Sequence, residues 1–158
     1  MSVLRLFLLR HGETEWSRER RFTGGRDLGL TPVGQRQAEA VAAALATTSL
    51  QAIYASPLEP ARTSAEALAK PHRLSVRLDP RFAEMAFGGW EGFTLDEAAA
   101  RTPALYEQWR RTPGAMTPPE GESLIAVAAR AADGMAALQA AHAGATVALV
   151  THAIVVRL

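Results

Sequence analysis

The sequence predicts an α/β fold, a three-layer α/β/α sandwich around a mainly parallel central sheet. Strand-like apolar runs alternate along the chain with segments of helical period, the pattern of a sheet with helices on its faces. Two of those runs, residues 3–9 (VLRLFLL) and 146–150 (TVALV), are almost continuously apolar, as in a parallel strand covered on both sides. No repeat, low-complexity tract or linker divides the chain, so residues 1–158 read as one domain.

Residues 3–9 form the first strand, placed centrally by their pattern, and a Gly- and Arg-rich loop follows from Gly12 to about Leu30. Thr31 then supplies an N-cap and Pro32 the first helical position. Ala38, Val41, Ala42 and Leu45 recur at helical spacing, which predicts a helix over about 32–46. Residues 50–54 are a short strand. Ser56 and Glu59 stand at capping-box spacing before a helix that runs to about Lys70. Leu74, Val76 and Leu78 alternate with polar residues as a third strand.

Residues 81–93 are irregular, rich in glycine and aromatics. Thr94 and Glu97 form a second capping box, opening helical segments that Thr102-Pro103 interrupts. Residues 112–121 (TPGAMTPPEG) are a loop by composition. Leu124, Val127, Ala128, Ala131, Met135 and Leu138 mark a long helix that Gly144 ends. The fourth strand, 146–150, delivers Thr151 and His152.

Composition narrows the chemistry. Basic and acidic residues nearly balance, 17 against 16, so no overall field draws nucleic acid or an anionic membrane and any anion site must be local. The absence of cysteine excludes disulfides, thiolate metal sites and cysteine catalysis. The N-terminal apolar run is too short for a signal peptide and no run reaches ~18 residues, so no membrane span and a cytoplasmic location are expected.

Four histidines are present: His72 and His142 sit in polar contexts that read as solvated surface, but His11 and His152 each stop a buried-strand pattern. In an open α/β sheet ligands bind at the carboxyl ends of the strands, so neighbouring strands would bring both imidazoles to one crevice. A metal site is disfavoured by Arg10 beside Glu13; no G-x-S-x-G elbow and no phosphate-binding P-loop occurs. An anion pocket holding an imidazole remains. Arginine binds phosphate oxygens bidentately, Gly12 lets backbone approach a ligand closely, and histidine can be a covalent nucleophile. Together they suggest phosphoryl transfer through a phosphohistidine.

LLRHGETEW followed by RFTGGRDLGLTPVGQRQAEAVAAAL resembles the histidine phosphatase superfamily, the phosphoglycerate mutase-like family. ASPL, AEMAFGGWEG, PPEGESL and ALVTH follow in the family's order, so the resemblance covers the whole chain. It implies that His11 is the nucleophile, that Arg10 and His152 hold the transferring phosphate, and that Glu84 is the proton donor to the leaving oxygen. It also implies phosphate contacts from Thr23, Gly24 and Ser17. Guanidinium and imidazolium donors would then stabilise the transition state, with no metal and no cofactor. Phe87, Trp90 and Phe93 are expected to pack under the site, and Glu13 to bond loop amides.

Three positions depart from the family pattern. Pro60 stands where the S-P-L-x-R-A turn usually carries arginine; a helix start near Pro60 would let Arg62 take that role. Ser17 replaces a frequent asparagine and Ala153 a frequent glycine. The chain also stops at Leu158 inside what reads as a helix, as a truncated domain would. That would leave Ile154, Val155 and Leu158 poorly covered, a surface that a homodimer could close.

The expected activity is hydrolysis of a small phosphorylated metabolite by a metal-independent phosphomonoesterase. One alternative is a phosphoglycerate mutase. The segment between Phe93 and Glu120 is short and has only Arg101, Arg110 and Arg111 as basic residues, which favours the phosphatase branch. That short segment and PPEGES also resemble α-ribazole phosphatases. The other alternative is a degenerate member that binds phosphate without turnover, for which Pro60 and the short C-terminus speak.

Overall fold

The structure, a computed structural model, describes residues 3–158. From the N-terminus the elements are β1 (Arg5–Arg10), α1 (Glu15–Arg18), α2 (Pro32–Leu45), β2 (Ala52–Ala55), α3 (Glu59–His72) and β3 (Val76–Leu78). They continue with α4 (Leu95–Arg101), α5 (Pro103–Arg111), α6 (Leu124–Ala141), β4 (Thr146–Thr151) and α7 (Ala153–Arg157). Short 3₁₀ turns lie at Pro80–Phe82, Gly88–Trp90 and Pro113–Ala115.

All pairings in the sheet are parallel, in the order β1-β4-β2-β3. The apolar run of β4 is covered on both faces, as its pattern requires. β1 is not: it lies at one end of the described sheet, and Leu8 is 40% exposed. Its continuous apolar pattern therefore predicted its neighbours wrongly.

Alternation of side chains divides the core into two layers. Ile53, Ala55, Ala148 and Val150 pack with Ala61, Ala65 and Leu68 of α3 and Ala42 of α2. Leu149 faces the other way, with Val127, Ala131 and Leu138 of α6, Phe82, Met85, Trp90 and Val155. These are the three predicted layers.

Most helix ends follow sequence signals. Thr31, Thr94 and Ser123 cap α2, α4 and α6 through their hydroxyls, and Thr94 with Glu97 closes a capping box. Two ends differ. Thr14 and Ser17 form a capping box that starts α1 inside the predicted loop. Ser56 does not cap α3; the Asp27 carboxylate accepts the Glu59 N–H instead.

By length and composition alone α6 is long and apolar enough to cross a membrane, although Arg130 and Asp133 interrupt its apolar run. Here it packs a stripe of Val127, Ala131, Gly134 and Leu138 into the core, with Arg130 and Asp133 along its middle. Its opposite face is exposed, as at Ile125, so α6 covers the sheet by one side only. At the last helix, Val155 is buried rather than bare, while Leu158 is exposed.

Candidate active site

β1 and β4 run in register, with Arg10 opposite Thr151, and the His11 N–H donates to the Thr151 carbonyl at 3.0 Å. His11 and His152 are the next residues on each strand. Their rings emerge side by side, centroids 5.0 Å apart and planes at 61°.

The tautomer of His11 follows from one contact. His11 Nδ1 lies 2.6 Å from the Gly12 carbonyl oxygen. A carbonyl only accepts, so Nδ1 carries the proton and Nε2 keeps its lone pair. Burial pushes the His11 imidazole below its usual range; the Gly12 hydrogen bond opposes this and Arg10 adds to it. The ring is a neutral base.

Gly12 lines the cavity beside Arg10 and His11, and packing also requires a glycine there. A Cβ there would overlap the Gly34 carbonyl of α2, and one on Gly34 would overlap the Glu13 carbonyl. Its N–H donates to Ser64 Oγ at 3.1 Å. Glu13 does not bond loop amides through its carboxylate: Oε1 accepts from the Thr31 hydroxyl at 2.8 Å, and its own N–H donates to Gln37.

His152 is buried, and its Nε2 lies 2.7 Å from Ser56 Oγ. Burial, then His11, Arg10 and Arg130, lower its pKa to about 3. The imidazolium expected from the family's chemistry is therefore a neutral ring near pH 7 before phosphate binds. Ser56 reaches it because β2 ends one strand away, with the Ser56 N–H on the Val150 carbonyl.

Glu84 comes from the loop after β3. Its carboxylate accepts the Met85 N–H at 2.9 Å and the Ile154 N–H at 3.3 Å. Burial raises its pKa, with those N–H groups and Arg10 opposing. It lines a cavity of about 270 Å³ together with Arg10, Ser17, Thr23, Phe87 and Trp109. A second cavity, about 180 Å³, holds Arg10, His11 and Ser17, so Arg10 and Ser17 join the two.

The remaining predicted contacts fare unevenly. Thr23 faces the larger cavity. Gly24 is buried at φ +58° and a Cβ on it would overlap the Glu91 carboxylate. That carboxylate accepts from Phe87 N at 3.1 Å and Gly25 N at 3.4 Å, fastening the Thr23 loop to the segment after Glu84. The Ser17 hydroxyl donates to the Thr14 carbonyl at 2.9 Å and accepts the Thr14 N–H. Its single hydrogen is spent on capping α1 rather than offered to a phosphate.

Arg62 is not delivered to the site. α3 starts at Glu59, which puts Arg62 at its fourth position, with Nε 3.9 Å from Glu66 one turn on. It lines none of the three cavities that include Arg10. The proline has removed one arginine without re-aiming the next.

Phe87 and Trp90 pack on Phe22, at 4.8 and 5.4 Å between centroids, and Phe87 also faces the cavity. His142 is not free surface: Nε2 meets the Tyr54 hydroxyl at 3.0 Å. His72 Nε2 is buried and unbonded among the described residues. Among those residues no three His, Cys, Asp or Glu side chains converge as metal ligands would.

Sequence reasoning missed Ser56 as a partner of His152, and Glu91, Trp109 and Arg130. The signal for Arg130 was an arginine flanking the apolar stripe of a helix made mostly of alanine.

The model of the histidine phosphatase superfamily (branch 1) matches residues 6–158. The chain is 42% identical over 149 residues to "Bifunctional protein Rv2228c" of Mycobacterium tuberculosis, covering 94% of this chain but 41% of that protein. It is 30% identical to phosphoserine phosphatase 1 of Hydrogenobacter thermophilus, covering 98% of this chain and 74% of that one. A solved mycobacterial glucosyl-3-phosphoglycerate phosphatase, in complex with VO3, superposes with TM-score 0.87 at 32% identity. That alignment covers 94% of this chain and 75% of the other. Other relatives bear the name "Probable phosphoglycerate mutase GpmB".

Proposed function

The chain belongs to the histidine phosphatase superfamily, and from that premise we propose that it hydrolyses a small phosphomonoester through a phosphohistidine on His11. The observation that carries this is the His11 Nδ1–Gly12 carbonyl contact, which leaves Nε2 as a neutral nucleophile beside His152 and Arg10.

In the first step Nε2 attacks phosphorus, a P–N bond forms, and the P–O bond to the leaving group breaks. Arg10 holds the equatorial oxygens, where the transition state carries its charge. His152, neutral in the empty pocket, becomes easier to protonate as phosphate enters. Glu84, whose pKa burial raises, gives its proton to the departing alkoxide. In the second step water attacks phosphorus, Glu84 takes back the proton, and inorganic phosphate leaves as the P–N bond breaks. Every group in this scheme is a side chain, so turnover should need no metal.

The phosphatase reading is favoured over a mutase by the short segment between Phe93 and Glu120. The test is turnover of p-nitrophenyl phosphate in EDTA, with acid-labile radiolabel trapped on the protein. Wild type should turn over and label; His11→Ala should do neither. A wild type that does not turn over supports the non-catalytic alternative. Transfer from a bisphosphoglycerate primer to 3-phosphoglycerate, exceeding hydrolysis, would identify a mutase.

A further inference from the structure

We propose that Arg130, oriented by Glu122, is a positioning residue that holds the Glu84 segment in place for proton transfer. This rests on the reading of Glu84 as the proton donor.

The inference starts from a count of donors. A guanidinium has five N–H groups in a fixed fork. All five are used at Arg130. Nε and one Nη2 hydrogen go to the two Glu122 oxygens, at 2.8 and 2.9 Å. Nη1 donates to the carbonyls of Arg81 and Ala83, at 2.7 and 2.8 Å. The last Nη2 hydrogen goes to the Glu84 carbonyl at 3.2 Å. Three carbonyls within four residues thus converge on one side chain, and the last belongs to the proton donor itself.

The carboxylate half of the pair is anchored too. The Glu122 N–H donates to the Ala86 carbonyl at 2.8 Å, so the loop before α6 grips the chain on the far side of Glu84. Arg130 holds the Glu122 carboxyl below its usual pKa, so the pair stays ionised through neutral pH. The Glu84 loop has no ladder hydrogen bonds of its own, being neither helix nor strand. Besides Arg130, the Thr151 hydroxyl bonds the Phe82 carbonyl at 2.6 Å. Arg130 thus clamps the segment at Arg81, Ala83 and Glu84, and Thr151 at Phe82 between them. Misplacement of a reacting group by about 1 Å can cost ~10²-fold in rate.

The test separates positioning from general damage through the leaving group. An alkyl phosphate needs a proton on its leaving oxygen; p-nitrophenyl phosphate needs it far less. Arg130→Met and Glu122→Gln are compared with Glu84→Gln on both substrates, with folding followed by circular dichroism and Tm. Glu84→Gln should lose ~10²-fold or more in kcat on the alkyl ester and much less on the aryl ester. Arg130→Met should show the same selectivity at about 10- to 100-fold, and Glu122→Gln a smaller loss of the same kind. Arg130→Met should add little to Glu84→Gln in the double variant.

Equal losses on both esters, or full additivity with Glu84→Gln, would overturn the inference while leaving Glu84 as the donor. If Glu84→Gln itself shows no selectivity, the reading of Glu84 fails, and this inference with it. Should Arg130→Met not fold, Glu122→Gln carries the test, since it keeps the three carbonyl bonds and removes only the charge that orients them.

Discussion

His11 and His152 stand 5.0 Å apart because Arg10 and Thr151 are register partners on adjacent parallel strands. Two imidazoles this close, beside Arg10, cannot both be charged in an empty buried pocket.

That proximity makes stability depend on pH. His152 titrates at about 3 when folded and near 6.5 when unfolded. The folded value is the lower, so the unfolded chain takes up the proton first and stability falls as pH drops below about 6.5. At 1.36 kcal/mol per unit, the loss between pH 7 and 5 is about 2 kcal/mol, and His11, also lowered, adds to it. Urea unfolding at several pH values measures this. His152→Asn should flatten the dependence; an unchanged slope would contradict it.

Activity should show the opposite pressures at the site. In the proposed scheme the His11 ring acts unprotonated, and its pKa is lowered; the Glu84 carboxyl acts protonated, and its pKa is raised. The pH profile of kcat/KM should be bell-shaped, with the alkaline limb set by Glu84. Glu84→Gln, which does not titrate, should lose that limb. A retained alkaline limb would assign it to another group.

The two arginines should behave differently. Arg10 joins both cavities, whereas Arg62 pairs with Glu66 on α3. Arg10→Ala should lower kcat/KM by ~10² or more. Arg62→Ala should change it by less than about twofold, as for an exposed helix pair. A large loss in Arg62→Ala would mean that Arg62 swings in when substrate binds.

Gly34→Ala tests the approach of α2 to the turn that follows His11. Its methyl would meet the Glu13 carbonyl, so the helix must move out. Overpacking of this kind costs about 1–3 kcal/mol, several degrees in Tm. Because the displaced turn carries His11, kcat should fall as well. Unchanged Tm would show that α2 can slide without penalty.

Much of this protein was written locally. Alternating strand and helix periods foretold the layers; Thr31 and Thr94 foretold two helix starts. The R-H-G and T-H strand ends foretold the two imidazoles. These signals are legible because they depend on residues within one or two turns of each other. What the fold alone decided involves partners distant in sequence. β1 stands at the end of the described sheet, and its own apolar run could not show this, because strand order is a tertiary property. Ser17 and Arg62 have the right chemistry, but Thr14 and Glu66 engage them first. Arg130 is one arginine among many in the sequence. It acquires its place only when α6 packs where the carbonyls of Arg81, Ala83 and Glu84 converge, because a hydrogen bond is satisfied by position in space and not by spacing along the chain.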